Sequence, residues 1–187
     1  GEFHIGHLRE ILTGDMITRA CKNAGMDAEF VFIVDSADPL RKVYPFLSNE
    51  YEQYIGCALA TIPAPDENGN PGSDGRSYAE HFLEPFLAAL EQIDVRPRII
   101  DNYTSYANGE FAEKSRIACE KAEEIREIIE RVSSRELAPD WFPYNPYGHN
   151  GSLDGVTVTG FEWPYVHWTQ DGKPGKSDLN KAEGKLK

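Results

Sequence analysis

No unbroken apolar stretch in the chain exceeds five residues, and one of that length, Phe30-Val31-Phe32-Ile33-Val34, stops at Asp35. Five residues fall far short of the ~20 that a membrane span needs. A short, partly β-branched run with an acidic stop instead fits a strand buried on both faces, as in a parallel sheet. We place that strand at 29–34. Before it, Leu8, Ile11, Leu12, Met16 and Ala20 recur at helical spacing between Ile5 and Ala24, and Gly25 supplies the stop. After it, Ser77-Tyr78-Ala79-Glu80 has the form of a capping box and opens a helix with Phe82, Phe86, Leu90 and Ile93 on one face. Pro85 is expected to kink or split that helix. A short strand over 97–101 follows, then a long helix over 110–132 with Ala118, Ala122, Ile125, Ile129 and Val132 in one stripe. Its exposed face offers ion pairs such as Glu110–Lys114 and Glu127–Arg131. Helix, strand, helix, strand, helix predicts an α/β fold with a parallel sheet and right-handed crossovers.

Residues 36–76 carry few regular signals, and Asn68-Gly69-Asn70-Pro71-Gly72-Ser73-Asp74-Gly75 reads as an exposed loop. Beyond residue 135 the composition shifts: Pro139, Pro143, Pro146, Pro164, all three tryptophans and the alternating Val156-Thr157-Val158-Thr159 gather within 136–170. That pattern predicts a small β-rich module on an α/β body, so we divide the chain at 135/136. The 187 residues suffice for one domain with an appendage. The formal charge is −12, and because 171–187 carries +2, the first 170 residues hold −14. Such a body will not grip nucleic acid over a broad face, which needs clustered Lys and Arg. Cys21, Cys57 and Cys119 are odd in number and widely spaced, which suits buried, reduced thiols in a cytosolic protein. No basic and apolar leader pattern opens the chain.

The chemistry lies in Gly1-Glu2-Phe3-His4-Ile5-Gly6-His7-Leu8, which sets two histidines and a glycine at the mouth of the first helix. Backbone N–H groups there lack intrahelical partners, and the helix dipole adds about half a positive charge, so the position suits phosphate. His4 and His7 are three apart, on one helix face, where both can donate to a triphosphate as charge builds at the α-phosphorus. Gly6 has no Cβ, so a flat base or sugar can approach its backbone.

His-Ile-Gly-His is the signature of class I aminoacyl-tRNA synthetases and related nucleotidyltransferases. Four stretches, His4–Asp15, Asp38–Leu47, Ser77–Phe86 and Glu183–Leu186, closely resemble the class I type of lysyl-tRNA synthetase. The resemblance covers residues 1 to about 145 and again 178–187. It implies a Rossmann-like parallel-sheet domain that binds ATP with Mg2+, here its first half at 1–135, with a connective insertion at 136–187. It implies activation of L-lysine with ATP, transfer to tRNA(Lys), and a cytoplasmic enzyme. His4 and His7 would hold ATP phosphates as the catalytic pair, and Gly6 would accept the adenosine. Asp35, at the carboxyl edge where open sheets bind ligands, would take the α-ammonium of the amino acid. Tyr78 and His81 lie in a matching motif and are assigned to the amino-acid pocket. Asp38 is read as a turn cap.

The chain departs from the family pattern in places. Many relatives carry Asn where His7 stands. The family's first strand is expected before Gly1 and the residues that enclose lysine after Leu186, so both ends are expected to lie inside a larger catalytic domain, and the fragment is expected to be inactive alone. The family's insertion usually carries paired cysteines for zinc, whereas 134–187 offers only His149 and His167. Two histidines without thiolates are a poor zinc set, so no metal site is expected and the module should fold on its aromatic residues. Lys173-Pro-Gly-Lys-Ser177 matches three of five letters of the K-M-S-K-S loop and ends like a P-loop; we read it as an exposed basic turn. Two other functions fit the first motif alone: a small cytidylyl- or adenylyltransferase, and a non-catalytic remnant that binds nucleotide or tRNA ends.

Overall fold

The computed structural model describes residues 3–187; Gly1 and Glu2, which open the motif quoted above, lie outside the described residues. The chain divides into two compact units, 1–38 with 42–53 and 59–102, and 39–41 with 54–58 and 103–187.

In the first unit, helix α1 (Ile5–Asn23) turns out through Gly25, whose φ is +79°. Strand β1 (Val31–Val34) pairs in parallel with β2 (Arg98–Asp101), Val34 opposite Asp101. Helix α2 (Tyr78–Gln92) crosses between them and opens with the expected capping box: the Ser77 hydroxyl accepts the Glu80 amide, and the Glu80 carboxylate accepts the Ser77 amide at 2.7 Å. The expected break at Pro85 is absent, because α2 runs through it. Pro85 is exposed, while Phe86 and Leu90 are buried just beyond it and hold the second half of the helix in place. The apolar face also ends differently. Ile93 is half exposed, Asp94 takes a positive φ, and the chain swings Val95 inward to 3% exposure. The core of this unit joins Ile11, Phe86, Leu90 and Val95, with Leu8, Leu12, Phe30 and Phe32 against them. Gly14 is needed in mid-helix because a Cβ there would stand 2.6 Å from the Phe30 ring.

The stretch with few regular signals forms one 3-10 turn (Asn49–Tyr54) and otherwise irregular chain, yet it supplies core residues. Tyr51, Ile62 and Ala64 are at most 2% exposed. Its short pieces 39–41 and 54–58 belong to the second unit, where the Leu40 amide donates to Cys57 and the Leu153 amide to Gly56.

Helix α3 (Asn102–Ala107) has its first residue in the first unit and the rest in the second, which continues as α4 (Ala112–Glu120) and α5 (Ala122–Ser133). The single helix expected over 110–132 is therefore two, broken at Lys121 (φ −107°, ψ 24°). The halves answer to different partners. Helix α4 buries Ala112, Ser115 and Cys119, whereas α5 buries no residue fully and leaves Val132 76% exposed. Among the described residues the ion pairs here are Arg116 with Glu113 and Glu120, Lys121 with Glu124, and Arg126 with Glu130, in place of the two expected pairs. Five short strands follow. β3 (Tyr144–Pro146) pairs antiparallel with β7 (Gly184–Leu186); β4 (Val156–Glu162), β5 (Tyr165–Gln170) and β6 (Lys173–Asp178) form an antiparallel meander. The anticipated alternation is present on β4, where Val156 and Val158 are half buried between exposed Thr157 and Thr159. The core is aromatic and aliphatic: Tyr144, Val166, Leu179 and Cys119, with Phe142 and Phe161 against them. Burial pushes the Cys119 thiol up to about 12 and raises the Cys57 thiol as well.

Lys173–Ser177 is a strand and no turn. The turn is Asp171-Gly172, both at positive φ, the two-residue form whose twist matches that of a hairpin. Gly175 lies opposite Trp168, and a Cβ there would come within 2.3 Å of the indole. The Trp168 N–H donates to the buried Ser177 hydroxyl at 3.0 Å. Both the Gly and the Ser of this P-loop-like stretch thus serve one tryptophan.

Candidate active site

His4 is the N-cap of α1 in extended conformation, and its Nδ1 accepts the Gly6 amide at 3.0 Å. The His4 amide in turn donates to Nδ1 of His7 at 3.0 Å. The two imidazoles therefore perform the reciprocal bonding that Ser and Glu perform in an ordinary capping box. A nitrogen that accepts carries no proton, so the hydrogen-bond network assigns each neutral ring its proton on Nε2. Both residues are exposed and their ring centroids lie 3.9 Å apart. Capping and donating are consequently not alternatives for these histidines: Nδ1 serves the helix, and Nε2–H remains for a ligand beside the positive end of the dipole. Gly6 is dictated by this arrangement, since a Cβ would stand 2.7 Å from Cε1 of His4.

Phe3 fixes the motif to the core. Its ring stacks on Phe86 at 4.1 Å and meets the edge of His7 at 5.1 Å. Phe3 also lines a recess of about 340 Å³ with His81, Phe82, Pro85, Phe86 and Ala89. His81 packs edge-on against Phe82, and its buried Nδ1 has no hydrogen-bond partner among the described residues. Tyr78 is set deeper, 1% exposed between Tyr51 and Phe82, and burial raises its hydroxyl above the usual phenol value. The structure thus brings His4, His7 and His81 around Phe3, while Tyr78 stands behind them in the packed interior.

Asp35 is exposed at the carboxyl end of β1. The Asn102 side chain crosses from the end of β2 to donate to its carboxylate, while the Asn102 oxygen accepts the Ala37 amide at 2.9 Å and the Ser36 hydroxyl at 3.3 Å. Asp38 sits in the turn after β1, its amide donating to the Asp35 carbonyl and its own carbonyl accepting from Leu59. Phe3 and Asn102 are the two residues that sequence reasoning did not single out. A polar residue directly after the second strand of a parallel pair was the available signal for Asn102.

His149 lies against the Trp168 ring, with its amide donating to Gln170, and His167 lies on β5 opposite Lys176. Among the described residues, no three His, Cys, Asp or Glu side chains converge in a way that could hold a metal ion, and no helix is long and apolar enough to cross a membrane.

The family model for tRNA synthetases class I (K) matches residues 1–187. Relatives named lysine–tRNA ligase include those of Picrophilus torridus, 39% identical over all of this chain and 36% of its own length, and of Thermoplasma acidophilum, 37% identical with the same coverage. That of Archaeoglobus fulgidus is 40% identical over 91% of this chain and 34% of its own length. The chain spans about a third of these curated relatives. A match over every residue does not favour the small nucleotidyltransferase that the first motif alone allowed. With mixed helices and strands around a parallel pair, and with His-Ile-Gly-His capping the first helix, the chain belongs to the family of tRNA synthetases class I (K).

Proposed function

We propose that the chain is part of a cytoplasmic lysine–tRNA ligase. Residues 1–135 would be the first half of a Rossmann-like ATP-binding sheet and 136–187 an inserted connective module. That boundary concerns how catalytic fold and insertion are written along the chain, whereas the compact units concern packing. The full-length protein would join L-lysine to ATP as lysyl-adenylate, releasing pyrophosphate, and then pass the lysyl group to the terminal adenosine of tRNA(Lys). The observation that carries this reading is the pair of imidazoles that cap α1 through Nδ1 and keep Nε2–H for a ligand.

Those donors suit the reaction. As the lysine carboxylate attacks the α-phosphorus, negative charge grows on phosphate oxygens and on the departing pyrophosphate. Fixed N–H donors at a helix N-terminus stabilise that charge without taking up or releasing a proton. Mg2+, when bound, neutralises phosphate charge and is commonly held through substrate phosphates and water. Gly6 would face the adenosine, and Asp35 would pair with the α-ammonium. The recess beside His81, with Tyr78 behind it, would form part of the amino-acid side.

Lysine-dependent ATP–pyrophosphate exchange by the full-length protein tests the reading. Exchange should require lysine and vanish when His4 and His7 are both replaced by Ala. Exchange driven by another amino acid, or ATP affinity that survives the double change, would overturn it. The 187-residue chain alone should bind ATP weakly at most and show no exchange.

A further inference from the structure

We infer that Asn102 is a positioning residue that aims the Asp35 carboxylate; this rests on the reading of Asp35 given above. Val34 and Asp101 are in register across the parallel pair, so the next residues, Asp35 and Asn102, emerge side by side at the carboxyl ends of β1 and β2. Asn102 is the first residue of α3, one place past the N-cap position from which an Asn side chain caps first-turn amides. It sends its side chain across to the loop after β1, where it makes three bonds. Their chemistry leaves its amide one orientation. The oxygen has two donors, the Ala37 amide and the Ser36 hydroxyl, so the NH2 group must face Asp35. A flipped amide would set its NH2 against the Ala37 amide and its oxygen against the carboxylate. The anchors are rigid, since Ser36 is 2% and Ala37 1% exposed. A neutral donor on a buried anchor can thus hold an exposed carboxylate in place without adding a positive charge that would compete for an incoming ammonium.

A simple loop staple predicts something different, and Asn102→Asp separates the two in the full-length protein. The new carboxylate keeps an acceptor for Ala37 and Ser36 but replaces the donor facing Asp35 with a like charge. A positioning role predicts that KM for lysine in pyrophosphate exchange rises tenfold or more, with KM for ATP within twofold and Tm nearly unchanged. An unchanged lysine KM, or equal rises in both KM values with a fallen Tm, would show a staple only. If Asn102→Asp does not fold, Asn102→Gln retains both groups but displaces them by one methylene, and the same split in KM decides. Asp35→Asn provides the separate control. If its lysine KM is normal, the role given to Asp35 fails; if that KM rises while the Asn102 variants behave like wild type, only the positioning role fails.

Discussion

His4 and His7 show how one side chain can cap a helix with one atom and leave another as a donor. Each imidazole gives Nδ1 to the helix, so the histidine spacing readable in the chain has a structural role whether or not the proposed phosphate role holds. Gly6→Ala should separate them. The added Cβ would displace the His4 ring and lose a cap worth about 1 kcal/mol, while Ala regains up to about 1 kcal/mol of helix propensity over Gly. Stability should therefore stay nearly constant while ATP affinity of the full-length protein falls about tenfold, which titration with ATP would measure. Gly175→Ala should do the reverse. With 2.3 Å to the Trp168 ring, overpacking should destabilise by about 1–3 kcal/mol, lower the thermal midpoint by several degrees and leave nucleotide binding alone. Nothing in Lys-Pro-Gly-Lys-Ser distinguishes a glycine that makes room for phosphate from one that makes room for an indole, because the partner lies across a strand pair.

Among the elements, α2 was the most legible because both of its signals are local: a capping box at Ser77 and Glu80, and an apolar face at 82, 86 and 90. Backbone and hydroxyl hydrogen bonds from Ser77 hold the Glu80 carboxyl below its ordinary 4.5. A carboxyl lowered on folding stabilises above its unfolded value, and that contribution disappears as pH falls through the folded value. Glu80→Gln should thus lower Tm near neutral pH, and the difference from wild type should shrink as pH falls below about 4.5. Ser77→Ala should cost about 1 kcal/mol at neutral pH. The break at Lys121 was not legible, since 110–132 is continuously helical in pattern. Only the packing of Cys119 against Tyr144, Val166 and Leu179 gives the first half of that stretch a partner.

At the scale of the whole molecule, the net charge of −12 describes a solvated surface and left little of the family legible; four short stretches carried nearly all of the resemblance. The second unit is held by Tyr144, Val166, Leu179 and the Trp168–Ser177 bond. Its thermal midpoint should accordingly not move when a chelator is added, and metal analysis of purified protein should find no stoichiometric ion. A stoichiometric ion whose removal lowers the midpoint would contradict that account, because structural zinc contributes its binding free energy to folding.

Sequence alone determined the elements whose signals repeat within a turn or a pleat, namely α1, α2 and the alternation on β4, and it marked the places of the two strands β1 and β2 and of the His-Ile-Gly-His motif at the head of α1. These depend on neighbours three or four residues away, or on a period of two. Tertiary structure decided which residues share a site and which irregular chain is core. Asn102 reaches Asp35 across 67 positions, and Tyr51 and Ile62 are buried without any period in their segment. Such contacts are made between residues distant along the chain, where no periodicity records them, and they exist only once the strands and helices have packed.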